Sequence, residues 1–290
     1  MSETYRLDPE ARRRNLARAA GHYDQSAVLQ REIAGRLLER VVCLKMRPSR
    51  ILDLGSRTGH STGELARLFP DAEVVGVDQA AILATRGNDS GHRVAGQLPA
   101  LPFRRGAFDL VFSNLELHWC MELVPALETL RQVLAPKGAV MFTTFGPDTL
   151  VELRYSWQQA DELEHVHGFV DMHDIGDALM RAGFADPVMD VDRVTLTYPK
   201  VRDLLQDLRN TGAQNALCSR RRTLTGARRY QTMCDHYEHL RNADGLVPAR
   251  FEVIYGHAWA PPTGTPERHG DHEVVTIPVD QIGRKKTQGK

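Results

Sequence analysis

The sequence predicts an α/β protein with a seven-stranded, mostly parallel sheet and helices on both of its faces. Three observations support this fold class. Strand-like and helix-like segments alternate between residues 50 and 145, a glycine turn follows the first strand, and two further strand-like segments, 188–198 and 251–259, flank a helical region. Alternating β and α elements favour parallel pairing, and a hairpin of the last two strands would make one edge antiparallel.

The N-terminal region, residues 8–45, is predicted to form two helices before the first strand. In the second helix the apolar positions recur at close to a 3.6-residue period from Ala27 to Val42, and Pro48 follows its end. These helices are expected to pack against the sheet, and they could also cover a site at the strand ends.

The elements of the alternating region are predicted in the following order. Strands are expected at 50–54, 73–77, 91–95, 108–113 and 138–145, with helices near 60–68, 79–86 and 121–134. In sheets of this kind the ligand lies beyond the carboxyl ends of the strands, where the strand order reverses. Residues that follow strands are therefore the candidates for a site.

The C-terminal half contains a basic helical insert. Helices are expected at 148–160 and 173–182, and residues 199–245 carry nine Lys or Arg against five Asp or Glu. The expected organisation is N-terminal helices at 1–48, an α/β core at 49–198, the insert at 199–248 as a lid or docking surface, a last strand at 249–262 and a loosely ordered tail at 263–290.

Composition sets broad limits on function. Lys plus Arg and Asp plus Glu both total 37, so net charge gives no reason to expect a nucleic-acid or membrane partner. The four cysteines form no C-x-x-C pair, and a metal site is not expected. No run approaches the roughly 18 consecutive apolar residues of a membrane helix. A cytoplasmic protein is expected.

The glycine turn is the main functional motif. The apolar run of Ile51 to Leu54 leads into Gly55-Ser-Arg-Thr-Gly59, and the next strand ends at Asp78. A strand, a glycine turn and a helix N-terminus form a nucleotide site, and a carboxylate at the second strand end can bind ribose hydroxyls. The turn does not fit the dinucleotide pattern G-x-G-x-x-G. Any α/β protein can also contain such a turn for structural reasons alone.

The turn resembles that of class I S-adenosylmethionine (SAM) methyltransferases, which normally have a small residue in the place of Arg57. Further motifs resemble the malonyl-acyl carrier protein O-methyltransferases of biotin synthesis, from about residue 10 to residue 262. These motifs are Ala20-Gly-His-Tyr-Asp24, Leu101-Pro-Phe103, Phe108 to Leu115, His118-Trp-Cys120, Phe145 to Leu150 with Glu152-Leu-Arg154, Phe169 to Gly176, Asp207-Leu-Arg209 and Tyr255-Gly-His-Ala-Trp259. The same motifs are similar to those of a mitochondrial complex I assembly factor that hydroxylates an arginine.

The resemblance implies a set of cofactor-binding residues. Gly55, Thr58 and Gly59 would shape the turn around the methionine part of SAM, and Asp53 would orient the amino group of that part. Asp78 would bind the ribose. Gln97, in place of the usual acid, and Leu98 would contact the adenine, and Asn114 and Leu115 would face the methionine tail. Structural alternatives remain open, because Asp53 could simply cap the turn and Asp78 could cap the following helix.

The resemblance also implies the residues around the reaction. Tyr23 would close over the sulfonium, Arg154 would pair with the malonyl carboxylate, and His118 is the second candidate for that pairing. Each could instead be structural: Tyr23 a core residue, Arg154 a solvated helix residue, and His118 a packing partner of Trp119. If Arg57 points inward it could block or repel SAM, whereas an outward side chain would leave binding normal.

The implied substrate is malonyl-acyl carrier protein, with malonyl-CoA as a possible substitute. Its carboxylate is ionised at neutral pH and needs no general base. Carrier proteins are acidic, so a basic surface would steer them; the candidates are Arg12 to Arg14, Arg220 to Arg222, Arg228 and Arg229. Two alternatives remain, a non-methylating relative that acts as an assembly or partner-binding factor, and a generic small-molecule methyltransferase.

Overall fold

A computed structural model describes residues 6–79, 92–120 and 122–262, together with the backbone of 267–269 and 272–274. The predicted helix at 79–86 and most of the predicted tail lie outside these residues. Three helices precede the sheet, α1 (Pro9–Ala19), α2 (Tyr23–Ser26) and α3 (Val28–Cys43), where the sequence predicted two. The Asp8 carboxylate caps α1 by accepting a hydrogen bond from the backbone N–H of Ala11.

The main sheet has seven strands, as predicted. They are β1 (Arg50–Leu54), β2 (Glu73–Asp78), β3 (His92–Ala95), β4 (Phe108–Asn114), β5 (Leu134–Phe145), β6 (Ala185–Tyr198) and β7 (Val247–Trp259), in the spatial order β3-β2-β1-β4-β5-β7-β6. The pairs from β3 to β5 are parallel, whereas β7 pairs antiparallel with both β5 and β6. The predicted fold class is confirmed.

Helices cover both faces of this sheet. They are α4 (His60–Leu68), α5 (Leu123–Val133), α6 (Val151–Gln158), α7 (Met172–Arg181), α8 (Val201–Asn210) and α9 (Ala227–Glu238). The last two lie between β6 and β7 in the chain. A separate short hairpin pairs β8 (Glu267–His269) with β9 (His272–Val274).

Three strands begin earlier than the sequence predicted. β5 begins at Leu134 rather than 138, with a register shift against β4 between Phe108 and Leu110. β6 begins at 185 rather than 188 because Ala185 pairs with Trp259, and β7 begins at 247 rather than 251 because Val247 pairs with Tyr198. Pairing with a neighbouring strand set these boundaries, and hydrophobic pattern alone does not report it.

Alternate residues of each central strand enter two different cores. Ile51, Leu110 and Phe112 pack on the face that carries α3, α4 and the insert helices α8 and α9. Leu52 and Val111 pack on the opposite face with α5 and α7. The two-residue period of a strand produces this separation. Parallel pairing places the carboxyl ends of β1, β2 and β4 at one edge of the sheet.

Candidate active site

The turn after β1 is held in a left-handed conformation. Gly55 and Gly59 have φ of 79° and 96°, and Arg57 has φ of 50°. A Cβ atom at Gly55 would lie 2.9 Å from an oxygen of Glu116. Glycine is therefore required at Gly55 both by backbone conformation and by the close approach of a side chain.

Asp53 lies beneath this turn and is buried. Its carboxylate accepts a hydrogen bond of 2.7 Å from the Thr62 hydroxyl of α4. Burial raises the pKa of Asp53 to about 7, although the Thr62 hydrogen bond acts in the opposite direction. Asp53 thus anchors the start of α4 to the end of β1, and an amino-group contact for this residue stays a prediction.

Arg57 points into the cleft. Its Nη1 lies 2.6 Å from Asp78, its Nη2 lies 2.7 Å from Glu116, and its backbone N–H donates to the same Asp78 oxygen at 3.1 Å. Burial opposes the charge of the guanidinium, but Asp78 and Glu116 outweigh burial and raise the Arg57 pKa well above its usual value. The inward alternative is the observed one, and Arg57 is bonded to the carboxylate predicted to hold the ribose.

Helix α1 contributes a second buried arginine. Arg12 donates to both oxygens of Glu116 at 2.6 Å, and its guanidinium lies 4.7 Å from the centre of the Trp119 ring. Arg12 is only 8% exposed. The prediction that Arg12 belongs to a carrier-protein surface is therefore wrong, because this side chain ties α1 to the end of β4 inside the cleft.

Helix α2 covers the turn. Tyr23 is buried, and burial raises its pKa to about 12, so its hydroxyl stays protonated at neutral pH. Its neighbour Asp24 accepts a hydrogen bond of 2.5 Å from the Thr58 hydroxyl. Sequence reasoning missed Asp24, although the quoted motif Ala20 to Asp24 contains it.

Two cavities adjoin the cluster of Arg12, Glu116 and Arg57. A cavity of about 280 Å³ is lined by Gln97, Leu98 and Glu116, among others. A small cavity of about 30 Å³ is lined by Tyr23 and Arg57, together with Asp24, Ala27, Gln30, Arg31, Gly55, Ser56, Thr58, His60, Ser61 and Asn114. The first lies where adenine was predicted, and the second where the methionine part was predicted.

Gly59, Asn114 and Leu115 make structural contacts, and Asn114 also lines the small cavity; their contacts with a cofactor stay predictions. At Gly59 a Cβ atom would lie 2.1 Å from the Arg93 guanidinium, so this residue packs against β3. The Asn114 amide donates to the Gln30 carbonyl at 2.9 Å and accepts from the Thr143 hydroxyl at 2.8 Å. Leu115 packs in the core and lines neither cavity. Asn114 and Leu115 thus shape the site mainly by holding strands and α3 together.

A third, larger cavity of about 540 Å³ adjoins this region. Its wall combines apolar residues such as Leu29 and Phe251 with His118 and His167, and Gln30 of α3 lines both this cavity and the small one. The Gln30 side-chain oxygen is buried without a hydrogen-bond partner among the described residues. Gln30 therefore lies at the boundary between the two cavities, and it was not among the predicted site residues.

His118 and His167 are neutral components of the large cavity. Their rings are stacked with centroids 6.1 Å apart. Burial lowers the pKa of His118 well below its usual value and that of His167 to about 4. His118 Nδ1 and His167 Nε2 are buried and lack hydrogen-bond partners among the described residues. They can serve as uncharged hydrogen-bonding groups for a ligand.

Arg154 does not line the large cavity. Its guanidinium donates to the carbonyl oxygens of Pro147, Thr149 and His167 at 3.1, 3.4 and 3.5 Å. These loops occupy part of its donor capacity, and the pairing of Arg154 with a substrate carboxylate stays a prediction. Two exposed arginines of α8, Arg202 and Arg209, line the cavity instead.

The basic surface is smaller than its sequence suggests. Arg220 pairs with Asp8 at 2.8 Å, and Arg221 and Arg229 lie 3.5 and 3.8 Å from Asp161. These three arginines hold the segment between α8 and α9, together with the start of α9, against the rest of the molecule. Exposed arginines without a described ion pair include Arg14, Arg222 and Arg228.

Two further kinds of feature are absent from the described part of the chain. No group of three or more His, Cys, Asp or Glu side chains there could hold a metal ion. Within the same residues, no helix combines the length and the apolar character needed to cross a bilayer.

The residues at the strand ends fit SAM when Arg57 is allowed to move. The left-handed turn provides backbone N–H donors, the buried Asp78 provides hydrogen-bond acceptors, and the 280 Å³ cavity provides space. The cations Arg12 and Arg57 are balanced by the carboxylates Asp78 and Glu116, so the cleft carries no unpaired buried charge from these four groups. Arg57 must give up its hydrogen bond to Asp78 before a ribose can bind to that carboxylate.

Comparisons with known proteins identify the family. Residues 52–142 match a methyltransferase domain model. The fold is shared with the YcgJ protein of Bacillus subtilis, at a TM-score of 0.57 and 14% identity over 80% of this chain and 99% of that one.

Proteins named malonyl-acyl carrier protein O-methyltransferase are similar over nearly the whole chain. The one from Gallionella capsiferriformans (strain ES-2) is 45% identical over 88% of this chain and 92% of its own length. The one from Halorhodospira halophila (strain DSM 244 / SL1) is 44% identical over 97% of each. At this identity and coverage, the chain belongs to the malonyl-acyl carrier protein O-methyltransferase family.

Proposed function

We propose that this protein transfers a methyl group from SAM to the free carboxylate of malonyl-acyl carrier protein, in the cytoplasm, as a step of biotin synthesis. The observation that carries the proposal is the arrangement of the cavities. The small cavity at the glycine turn and the large cavity share Gln30, so donor and acceptor sites meet at one residue.

The donor site is formed by the strand ends. When bound, SAM supplies an electrophilic methyl group on a positively charged sulfur. Gly55 and Thr58 would surround its methionine part, Asp78 would accept hydrogen bonds from the ribose, and Gln97 and Leu98 would contact the adenine. Tyr23 and Asp24 of α2 cover this site, which keeps water from the reacting centre.

The acceptor site needs positioning rather than acid–base chemistry. The malonyl carboxylate is ionised at neutral pH and is already a nucleophile, so alignment with the methyl group is the main catalytic requirement. His118 and His167 suit this role because their lowered pKa values keep them neutral. They can donate or accept hydrogen bonds without protonating the carboxylate.

The large cavity favours a long acyl substrate over free malonate. Its volume of about 540 Å³ exceeds the space that a three-carbon diacid needs, and apolar residues line much of its wall. We infer that the phosphopantetheine arm of the carrier protein occupies the rest. Arg202 and Arg209 on the cavity wall join Arg154 as candidates for binding acidic groups of this substrate.

The test is a binding measurement followed by an assay. The purified protein is titrated with S-adenosylhomocysteine by calorimetry, and is then supplied with SAM and malonyl-acyl carrier protein, malonyl-CoA or free malonate. Micromolar binding and methylation of the carrier-bound substrate are expected. Methylation of free malonate alone would contradict the carrier-protein assignment, and absence of binding at millimolar ligand would favour a partner-binding role instead.

A further inference from the structure

Glu116 joins the two buried arginines of the cleft. One of its oxygens lies 2.7 Å from Arg57 Nη2, and both accept hydrogen bonds from Arg12 at 2.6 Å. Glu116 is only 7% exposed. A single carboxylate therefore holds a guanidinium from the glycine turn and a guanidinium from the N-terminal helix α1.

The local backbone makes room for this carboxylate. Glu116 packs against Gly55, where a Cβ atom would lie 2.9 Å from its oxygen and 3.0 Å from its Cβ. Gly55 thus permits an acidic side chain to reach over the turn as far as Arg57. The cluster of Gly55, Arg57 and Glu116 forms one packed unit at the ends of β1 and β4.

Arg57 is shared between two carboxylates that have different tasks. Asp78 holds Nη1, whereas Glu116 holds Nη2. Under the proposed function, Asp78 must exchange this contact for the hydroxyl groups of a ribose. A buried guanidinium that lost its anionic partners would be strongly destabilised, so without another carboxylate Arg57 would remain on Asp78 and exclude the ribose.

We propose that Glu116 is a positioning residue that retains Arg57 while Asp78 binds the ribose of SAM. Glu116 already holds the second guanidinium nitrogen, so Arg57 can release Asp78 without losing its ion pair. In this chain the cation in the glycine turn is thereby compatible with cofactor binding. The inference rests on the proposed function, because it presupposes that SAM enters this cleft.

A double-mutant cycle tests this role. Calorimetry with S-adenosylhomocysteine is performed on the unmodified protein, Glu116→Gln, Arg57→Gly and the double variant. The Glu116→Gln change should weaken binding by about tenfold when Arg57 is present, and by less than about twofold in the Arg57→Gly background. Equal weakening in both backgrounds would show that Glu116 acts through Arg12 or through general stability, and would overturn the proposal.

Two controls sharpen the result. Glu10→Gln changes a glutamate of α1 whose side chain is 60% exposed and pairs with Arg13 at the surface, and it should leave affinity within about twofold in both backgrounds. Glu116→Asp keeps the negative charge and should restore part of the affinity that Glu116→Gln loses. Absence of binding in every variant, including the unmodified protein, would refute the proposed function itself, whereas binding without coupling would refute only the role of Glu116.

Discussion

Arg57 Nη1 lies 2.6 Å from the Asp78 carboxylate at the carboxyl end of β2. Asp78 is buried, its side chain is 0% exposed, and Arg57 occupies the carboxylate that is predicted to bind a ribose. This contact turns the unusual arginine of the glycine turn into a competitor for the cofactor. It also means that the protein without ligand is stabilised by an ion pair that binding must rearrange.

Removal of the competitor should strengthen binding. Arg57→Gly is expected to tighten S-adenosylhomocysteine affinity by about tenfold, since Asp78 no longer has to exchange a partner. The ligand-free protein should lose about 3–5 kcal/mol of stability, because a buried carboxylate is left without its cation. Calorimetry and chemical denaturation measure the two effects.

A surface arginine provides the matched control for that variant. Arg67 of α4 has a side chain that is 73% exposed and pairs with Glu64. Arg67→Ala should change neither affinity nor stability by more than about 0.5 kcal/mol. An unchanged or weaker affinity in Arg57→Gly would show that Arg57 does not compete with the ligand.

The hydrogen bond from Thr58 to Asp24 should hold α2 over the cofactor. Asp24→Ala removes the acceptor and is expected to raise the KM for SAM by about three- to tenfold, in line with the net contribution of one hydrogen bond. Asp24→Asn keeps an acceptor oxygen and should raise the KM for SAM much less. Steady-state kinetics with both variants test this, and equal KM values for the two would contradict a role for the hydrogen bond.

The arginines of α8 should affect the acceptor substrate and not the donor. Arg202→Ala and Arg209→Ala are expected to raise the KM for malonyl-acyl carrier protein by about tenfold, while calorimetry shows unchanged affinity for S-adenosylhomocysteine. Arg154→Ala is the comparison: its carbonyl contacts predict a loss of thermal stability. A large KM effect confined to Arg154 would support that residue as the carboxylate partner.

Exposed arginines near the insert should steer the carrier protein. The double change Arg222→Glu and Arg228→Glu is expected to raise the KM for malonyl-acyl carrier protein severalfold, with the largest effect at low ionic strength. The KM for malonyl-CoA, where it serves as a substrate, should change little. An identical effect on both substrates would place these residues at the acyl site and not at a protein-docking surface.

Asp53 should make stability depend on pH. Its pKa is raised from 3.8 to about 7 by burial, so its stabilising contribution is complete below pH 3.8 and is lost as pH rises through 7. Relative to Asp53→Asn, the unmodified protein should lose about 2–4 kcal/mol between pH 4 and pH 8. Urea denaturation of both proteins across this range measures the difference, and parallel pH profiles would contradict a raised pKa.

The elements of the fold could be predicted because their signals are local. Apolar runs, glycine turns and helical periodicity located β1, β2, β4 and α4 within about one residue of their observed bounds. The longer β6 and β7 could not be delimited in this way. Their extra pairs, up to Tyr198 opposite Val247, depend on contact between segments that are far apart in the chain.

The sequence by itself determined the fold class, the glycine turn and the carboxylate at the end of β2, because these follow from short patterns. Only the tertiary structure decided where long polar side chains point. Arg57 turns inward because Asp78 and Glu116 converge on it from two strands, and Arg12 is buried because the same Glu116 meets α1. The direction of a flexible cation depends on which distant anions the fold brings within a few ångströms, and no local pattern records that.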